Sequence, residues 1–161
     1  MGKRYFTPKL FHFLEDLAEN TDREWVKANQ GEYERHVREP ALEFINDFAG
    51  PLAKISPHVN ADSRKVGGSL FRIQRDTRFA KDKTPYKTNT GMHFRNEIAK
   101  DAHAPVIYLH LDPMNCFFSV GLWLPEPNVA QHILLHIGEH REEWTSIVGD
   151  PSFTATFELG G

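Results

Sequence analysis

The sequence predicts an α+β domain in which N-terminal helices pack on an antiparallel sheet, a meander, followed by a C-terminal helix and a short strand. Three observations predict this fold class. Apolar residues recur at helical spacing through residues 7–55, alternate at strand spacing through 92–124, and return to helical spacing through 129–148. With 161 residues, 40% of them hydrophobic, the chain can form a core. We expect one domain over residues 1–161, either complete or truncated at its C-terminus.

The first third of the chain carries the start and stop signals of three helices. Thr7, followed by a proline, predicts an N-cap, and Asn20 ends the first run. The capping-box sequence TDRE predicts a second helix that begins at Asp22. We expect Gly31 to interrupt this helix, and Pro40 to lie in the first turn of a third helical stretch, which the Gly-Pro pair at 50–51 punctuates.

The remaining elements are predicted from alternation and turn residues. A strand-like run covers residues 69–74, and a short strand covers 92–96. Residues 106–111 and 117–124 alternate on either side of an Asp-Pro turn and predict an antiparallel hairpin. The alternation places Ile107, Leu109 and Leu111 on one face and Tyr108 and His110 on the other. Residues 153–157 predict a last, short strand.

The most unusual feature is the basic segment, residues 70–87. From Arg72 to Lys87, six Lys and Arg side chains face two carboxylates, with aromatic residues among them and no helical periodicity. Between Arg64 and Lys87 the charge balance is +6, which leaves −9 for the rest of a chain whose net charge is −3. A basic patch on an acidic chain argues against general coating of nucleic acid and favours a local site for an anion.

We predict that the basic segment binds a phosphate- or carboxylate-bearing small molecule. The Arg fork matches both anions, and Lys adds a point charge. Phe71, Phe79 and Tyr86 would shelter the ligand or stack on a ring. Whether the ligand is turned over, and so whether the protein is an enzyme, is not decided by these residues. The predicted ligand-binding residues are Arg72, Arg75, Arg78, Lys81, Lys83, Tyr86 and Lys87.

Two other interpretations of the basic segment stay open. In the first, the segment is a structural clasp in which Asp76 and Asp82 pair with neighbouring cations. In the second, it belongs to a non-enzymatic module that docks on nucleic acid or an acidic protein partner, because charge combined with stacking suits single-stranded nucleic acid. The acidity of the rest of the chain makes this second alternative the weaker one.

Histidines supply the candidates for proton transfer and for metal binding. His103 is the predicted catalytic residue, while His93 and His110 lie on predicted strands that would approach the basic segment. His136 and His140 belong to an H-x-x-E-H sequence typical of a class of zinc proteases. These two histidines flank the apolar helix stripe, however, and a break is predicted near Gly138, so we predict no metal site and no cofactor.

Composition limits the cellular setting. Cys116 is the single cysteine, so no disulfide forms within the chain, and its two Phe neighbours predict a buried thiol. No run of residues approaches the length of a membrane span, so we predict a cytoplasmic protein with no membrane partner. The oligomeric state is not predicted.

The sequence resembles a widespread uncharacterised bacterial and fungal family, catalogued as domain of unknown function 2461. Residues 68–87, GSLFRIQRDTRFAKDKTPYK, resemble its central signature, and residues 22–25, 101–105 and 121–125 resemble supporting motifs. His103 stands out because it belongs to one of these motifs. The resemblance implies a family without an established activity. It also implies that relatives continue past residue 161 with another basic, proline-containing segment. The sequence does not decide whether such a segment completes the site.

Overall fold

A computed structural model of the protein describes residues 2–96 and 105–160, which fall into two compact units, 2–123 and 124–160. The α+β fold class is confirmed, with helices before and after a four-stranded antiparallel sheet. The prediction of one domain over residues 1–161 stays a prediction. The first unit contains α1 (Pro8–Glu19), α2 (Arg23–Ala28), α3 (Gln30–Tyr33), a π-helical turn (Glu34–Arg38), α4 (Glu39–Ile55), β1 (Val59–Asn60), β2 (Thr90–Asn96), β3 (Val106–Leu111) and β4 (Phe117–Gly121).

The sheet is a meander in the order β1-β2-β3-β4. The sequence predicts the meander but not its first strand, β1, at Val59–Asn60. In its register Met92 pairs with Leu109, and His93 pairs with Tyr108. Because side chains alternate between the two faces of a sheet, this register separates a core face from a polar face. The polar face carries Gly91, His93, Tyr108, His110 and Phe117.

The core lies between the N-terminal helices and the core face of the sheet. Met92 and Phe94 of β2 are fully buried, and so are Leu10, Leu14 and Leu17 of α1. Each apolar side chain of this size contributes about 1.5–3 kcal/mol when it leaves water. The leucines recur at helical spacing and the strand residues at every second position, so the two predicted periodicities meet in one core.

The structure confirms the predicted ends of α1 and changes three details of the helices that follow. Proline begins α1 after Thr7, and Asn20 is its C-cap, as predicted. The cap of α2 is Asp22 and the helix begins at Arg23, one residue later than the capping box predicts, because the Asp22 carboxylate accepts a hydrogen bond from the Trp25 N–H at 2.8 Å. Gly31 lies within α3 and does not end the helical path. Pro51 lies inside α4, which continues because Leu52 beyond it is fully buried.

Two predicted strands differ from the structure. Residues 69–74 make isolated bridges, Leu70 with Met92 and Gln74 with Tyr86, instead of a continuous strand. The predicted strand over 153–157 is wrong, because a short helix begins before it. Asp150 caps this helix by accepting a hydrogen bond from the Ser152 N–H at 2.8 Å.

The second unit, residues 124–160, consists of three helices. None of its side chains reaches the degree of burial found in the core of the first unit. The helical path of residues 127–148 breaks at His140, two residues after the predicted break at Gly138. The helices are α5 (Pro127–Glu139), α6 (Arg141–Val148) and α7 (Pro151–Thr154).

Two further predictions concern the burial of Cys116 and the membrane. The Cys116 thiol is exposed, not buried, because the residue follows the turn between β3 and β4, where its Sγ lies 3.3 Å from the Asp112 carbonyl oxygen. Among the described residues, no helix has the length and apolar character needed to cross a bilayer.

Candidate anion-binding cleft

A cleft of about 590 Å³ lies within the first unit. Its walls come from the basic segment, from residues 88–89 that follow it, from the polar face of β2 and β3, and from the region where α1 ends, at Ala18 and Thr21. Four of the seven predicted ligand-binding residues line it: Arg72, Arg75, Tyr86 and Lys87.

A short return of the chain on itself brings these four residues together. The Arg75 N–H donates to the Pro85 carbonyl at 2.9 Å, and the Lys87 N–H donates to the Ile73 carbonyl at 2.9 Å. Further back, the Phe71 N–H donates to the Gly91 carbonyl at 2.9 Å and fixes the segment to β2. Residues far apart in the sequence therefore face one space, although the segment contains no regular strand.

Three cations share the cleft. Lys87 is half-buried, and its pKa is lowered first by burial and then by the positive charges of Arg72 and Arg75. Among the described lining residues Asp82 is the one carboxylate. The cleft therefore disfavours the charged form of Lys87, and a bound anion would offset this effect.

Asp82 is held within the segment. Its carboxylate accepts hydrogen bonds from the Thr84 N–H at 2.9 Å and from the Thr84 hydroxyl at 2.8 Å, and it pairs with Arg75. These three groups, in that order, lower the pKa of Asp82 to about 2. Arg75 also donates to the Thr84 hydroxyl at 2.6 Å. Arg75 is thus part of a clasp as well as of the cleft wall.

The other three predicted ligand-binding residues lie outside the cleft. The Arg78 guanidinium binds Asp76, with Nη2 2.6 Å from Oδ2, and it holds the pKa of that carboxyl well below its ordinary range. Lys83 donates to the Thr77 carbonyl at 2.8 Å. Lys81 is exposed. Arg78 therefore fits the clasp interpretation, Arg72 and Lys87 fit the anion-site interpretation, and Arg75 takes part in both arrangements.

Phe71 connects the cations to the sheet. The Lys87 ammonium lies 4.9 Å from the centre of the Phe71 ring, a distance typical of a cation–π contact. On the other side, the rings of Phe71 and His93 meet edge to face with centroids 4.3 Å apart. His93 is buried, and its pKa is lowered to about 4, first by burial and then by the charges of Arg95 and Lys87.

Tyr108 and His110 form the part of the wall that the polar face of the sheet provides. The Tyr108 hydroxyl lies 2.9 Å from His110 Nδ1, and burial raises the pKa of Tyr108. The His110 ring stacks on Phe117 at 4.8 Å. Gly91 makes room for this arrangement, because a Cβ atom at that position would lie 2.6 Å from the Tyr108 hydroxyl oxygen.

Several lining residues were not among the predicted site residues. Thr88 and Asn89 carry no pattern that separates them from ordinary polar loop residues, and Thr21 was assigned to a capping box. Gly91 precedes the predicted strand over 92–96, so its position inside β2, where a glycine indicates close approach of another group, was not predicted. His103, the predicted catalytic residue, lies outside the described residues.

Three potential metal ligands come together in the second unit. The ligand atoms of His136, Glu139 and His140 lie within 4.8 Å of one another, and all three side chains are exposed. The rings of the two histidines are 4.3 Å apart. The prediction that the protein has no metal site stays a prediction.

Comparison with known proteins gives a family and no activity. Neither the curated proteins nor the solved structures contain a match to this chain. A family model does match, over residues 9–161. This range includes the whole basic segment and the strands β2 and β3, which form part of the cleft wall. The chain belongs to the family described as conserved hypothetical protein (DUF2461), as its central motif predicted.

Proposed function

We propose that the cleft binds a small molecule through a phosphate or carboxylate group. The observation that carries this proposal is the convergence of Arg72, Arg75 and Lys87 on one cleft that has a single carboxylate among its described lining residues. Lys87 is partly removed from water and is repelled by the positive charges of Arg72 and Arg75, and a bound anion offsets both effects. The cleft volume of about 590 Å³ fits a small molecule better than a polymer.

Arg72 and Lys87 are the side chains that test this proposal. We expect Arg72→Gln and Lys87→Met each to weaken binding of the ligand about tenfold to a hundredfold, because each removes a hydrogen bond to a charged group. Arg75 is unsuitable, since it also pairs with Asp82 within the clasp. The measurement is calorimetric titration with inorganic phosphate and with short carboxylic acids.

Lys81→Met is the matched control for Lys87→Met. Both variants remove one positive charge from the basic segment, but Lys81 does not line the cleft. For Arg72→Gln the corresponding control is Arg78→Gln, at an exposed arginine outside the cleft. If the control variants weaken binding as much as the cleft variants, general charge explains the binding and the proposed site is wrong.

A second function has a specific observation in its favour. Phe79 is 95% exposed, and the Arg78 guanidinium lies 6.0 Å from the centre of its ring. Together with the exposed Lys81 they form a basic, aromatic tip outside the cleft. Such a tip is suited to stack on a base of single-stranded nucleic acid, and its charge also suits an acidic protein partner.

The tip is tested by binding of a fluorescent single-stranded oligonucleotide. If nucleic acid is the ligand, its affinity falls steeply as the salt concentration rises. Phe79→Ala then weakens binding by about 1–3 kcal/mol, the contribution of one stacked base. Phe118→Ala, at another exposed phenylalanine, is the control and should leave the affinity unchanged. Salt-independent binding, or an equal loss in both variants, contradicts this function.

We infer that the protein works in the cytoplasm. Cys116 is exposed and free, which is the state that a reducing compartment maintains.

A further inference from the structure

The cleft wall carries two chemically different groups of side chains. Arg72, Arg75 and Lys87 supply positive charge, and the pair Tyr108–His110 supplies a phenol and an imidazole. Three cations are enough to hold a phosphate or carboxylate group. The Tyr–His pair adds groups that donate and accept hydrogen bonds, which an anion site alone does not require.

The hydrogen bond within the pair determines which atom is left for a ligand. Nδ1 of His110 lies 2.9 Å from the Tyr108 hydroxyl oxygen, so Nε2 is the ring nitrogen that remains. In a neutral imidazole the proton sits on one nitrogen, and the partner of the other nitrogen selects which. If Nδ1 donates to Tyr108, Nε2 accepts; if Tyr108 donates to Nδ1, Nε2 carries the proton and donates. A hydroxyl group satisfies Nε2 in either case.

The packing around the pair holds it in place. The His110 ring is nearly parallel to Phe117, with 17° between the ring planes and centroids 4.8 Å apart. The Tyr108 ring contacts Phe71 at 6.1 Å and Phe117 at 5.9 Å. Gly91 allows Tyr108 to lie directly over β2. A pair fixed by neighbouring rings has little freedom to lose when a ligand binds.

We propose that His110 recognises a hydroxyl group on the ligand through a hydrogen bond at Nε2, and that Tyr108 positions His110 for this role. The ligand class is then a small hydroxylated phosphate or hydroxylated carboxylate, with its anion bound by Arg72, Arg75 and Lys87 and its hydroxyl bound at Nε2. This inference rests on the proposed function, because it needs the anion to be held in the same cleft.

Matched pairs of probes test the inference at a single pH. They are alkyl phosphates and alkanoates of two to four carbons, each compared with the same molecule carrying a terminal hydroxyl. We expect the hydroxylated member of at least one pair to bind about fivefold tighter or better, the effect of one additional hydrogen bond. In His110→Phe, which keeps a ring to stack on Phe117, the ratio of the two affinities should fall to about one.

The role of Tyr108 has its own readout. Tyr108→Phe keeps the ring and its contacts but removes the hydroxyl that meets Nδ1. We expect nitrogen NMR shifts of His110 to report a changed balance of its two neutral tautomers in this variant, together with a smaller hydroxyl preference. A residue that only supports the fold would leave both quantities as they are in the wild type.

The outcomes separate this inference from the function on which it rests. Binding that depends on Arg72 and Lys87 but shows no hydroxyl preference overturns the role of His110 and leaves the anion cleft standing. A hydroxyl preference that survives in His110→Phe overturns it as well. If no phosphate or carboxylate probe binds, both the anion cleft and the role of His110 are wrong. If His110→Phe fails to fold, the ratio is measured in His110→Asn, whose shorter amide does not reach the position of Nε2, and the ratio should fall to about one there as well.

Discussion

The Phe94→Ala variant should unfold with a free energy about 3–5 kcal/mol below that of the wild type. Phe94 is fully buried on the core face of β2, and its ring meets Phe48 of α4 edge to face with centroids 5.1 Å apart. Removing the ring leaves a cavity between β2 and α4. The measurement is urea-induced unfolding, analysed by linear extrapolation.

Phe118→Ala is the matched control for this prediction. Phe118 is the same residue type on the neighbouring part of the sheet, but it is 44% exposed on β4. Its removal should cost about 1 kcal/mol or less, as substitutions near the surface generally do. Equal losses in the two variants would contradict the placement of the core between the helices and β2.

The core face of the sheet was predictable because buried side chains recur at every second residue of a strand, and this alternation is present in the sequence. The alternation in residues 106–111 predicted that Ile107 and Leu111 face the core while Tyr108 and His110 face the other way, and the structure confirms it. The same period divides β2 between Phe94 and His93. A shift of one residue would expose the apolar set, so the pattern fixes the faces before any tertiary contact is known.

Hydrophobic periodicity does not predict which cations of the basic segment line the cleft and which pair with carboxylates. Arg72 and Arg78 are equivalent by composition, yet Arg72 lines the cleft and Arg78 is tied to Asp76 two residues away. What separates them is the pairing of residues 73–75 with 85–87, which is set by two backbone hydrogen bonds. No hydrophobic period specifies that register. A count of charges therefore singles out the basic segment, but it does not predict which of its cations line the cleft.

The wrong strand at residues 153–157 shows local capping overcoming alternation. The sequence FTATF alternates apolar and polar residues, which is typical of a strand. Asp150 followed by Pro151 is an N-cap and first-turn signal for a helix, and it decides the conformation of the residues that follow. Five alternating residues are too few to outweigh a well-formed cap.

Acidification should destabilise the protein through His93 before its carboxylates are protonated. The pKa of His93 is lowered from 6.5 to about 4 in the folded state, because the ring is buried on the polar face between Phe71 and the strands. The unfolded chain therefore takes up a proton at a higher pH than the folded chain does. The contribution of His93 to the free energy of unfolding is fully present above pH 6.5 and decreases as the pH drops from about 6.5 to about 4. Below that range this contribution no longer changes with pH.

The expected loss across this window is about 3–4 kcal/mol, since the pKa falls from 6.5 to about 4 and each pKa unit corresponds to about 1.4 kcal/mol. Urea unfolding of the wild type and of His93→Gln at several pH values measures it, and the difference between the two curves isolates His93. Asp82, with a pKa lowered from 3.8 to about 2, acts only below this window, because its stabilising effect is lost as the pH falls through that lower range. His132→Gln, the same substitution at an exposed histidine of α5, is the control variant. A His93→Gln curve parallel to that of the wild type would show that the His93 ring titrates freely and is not buried as described.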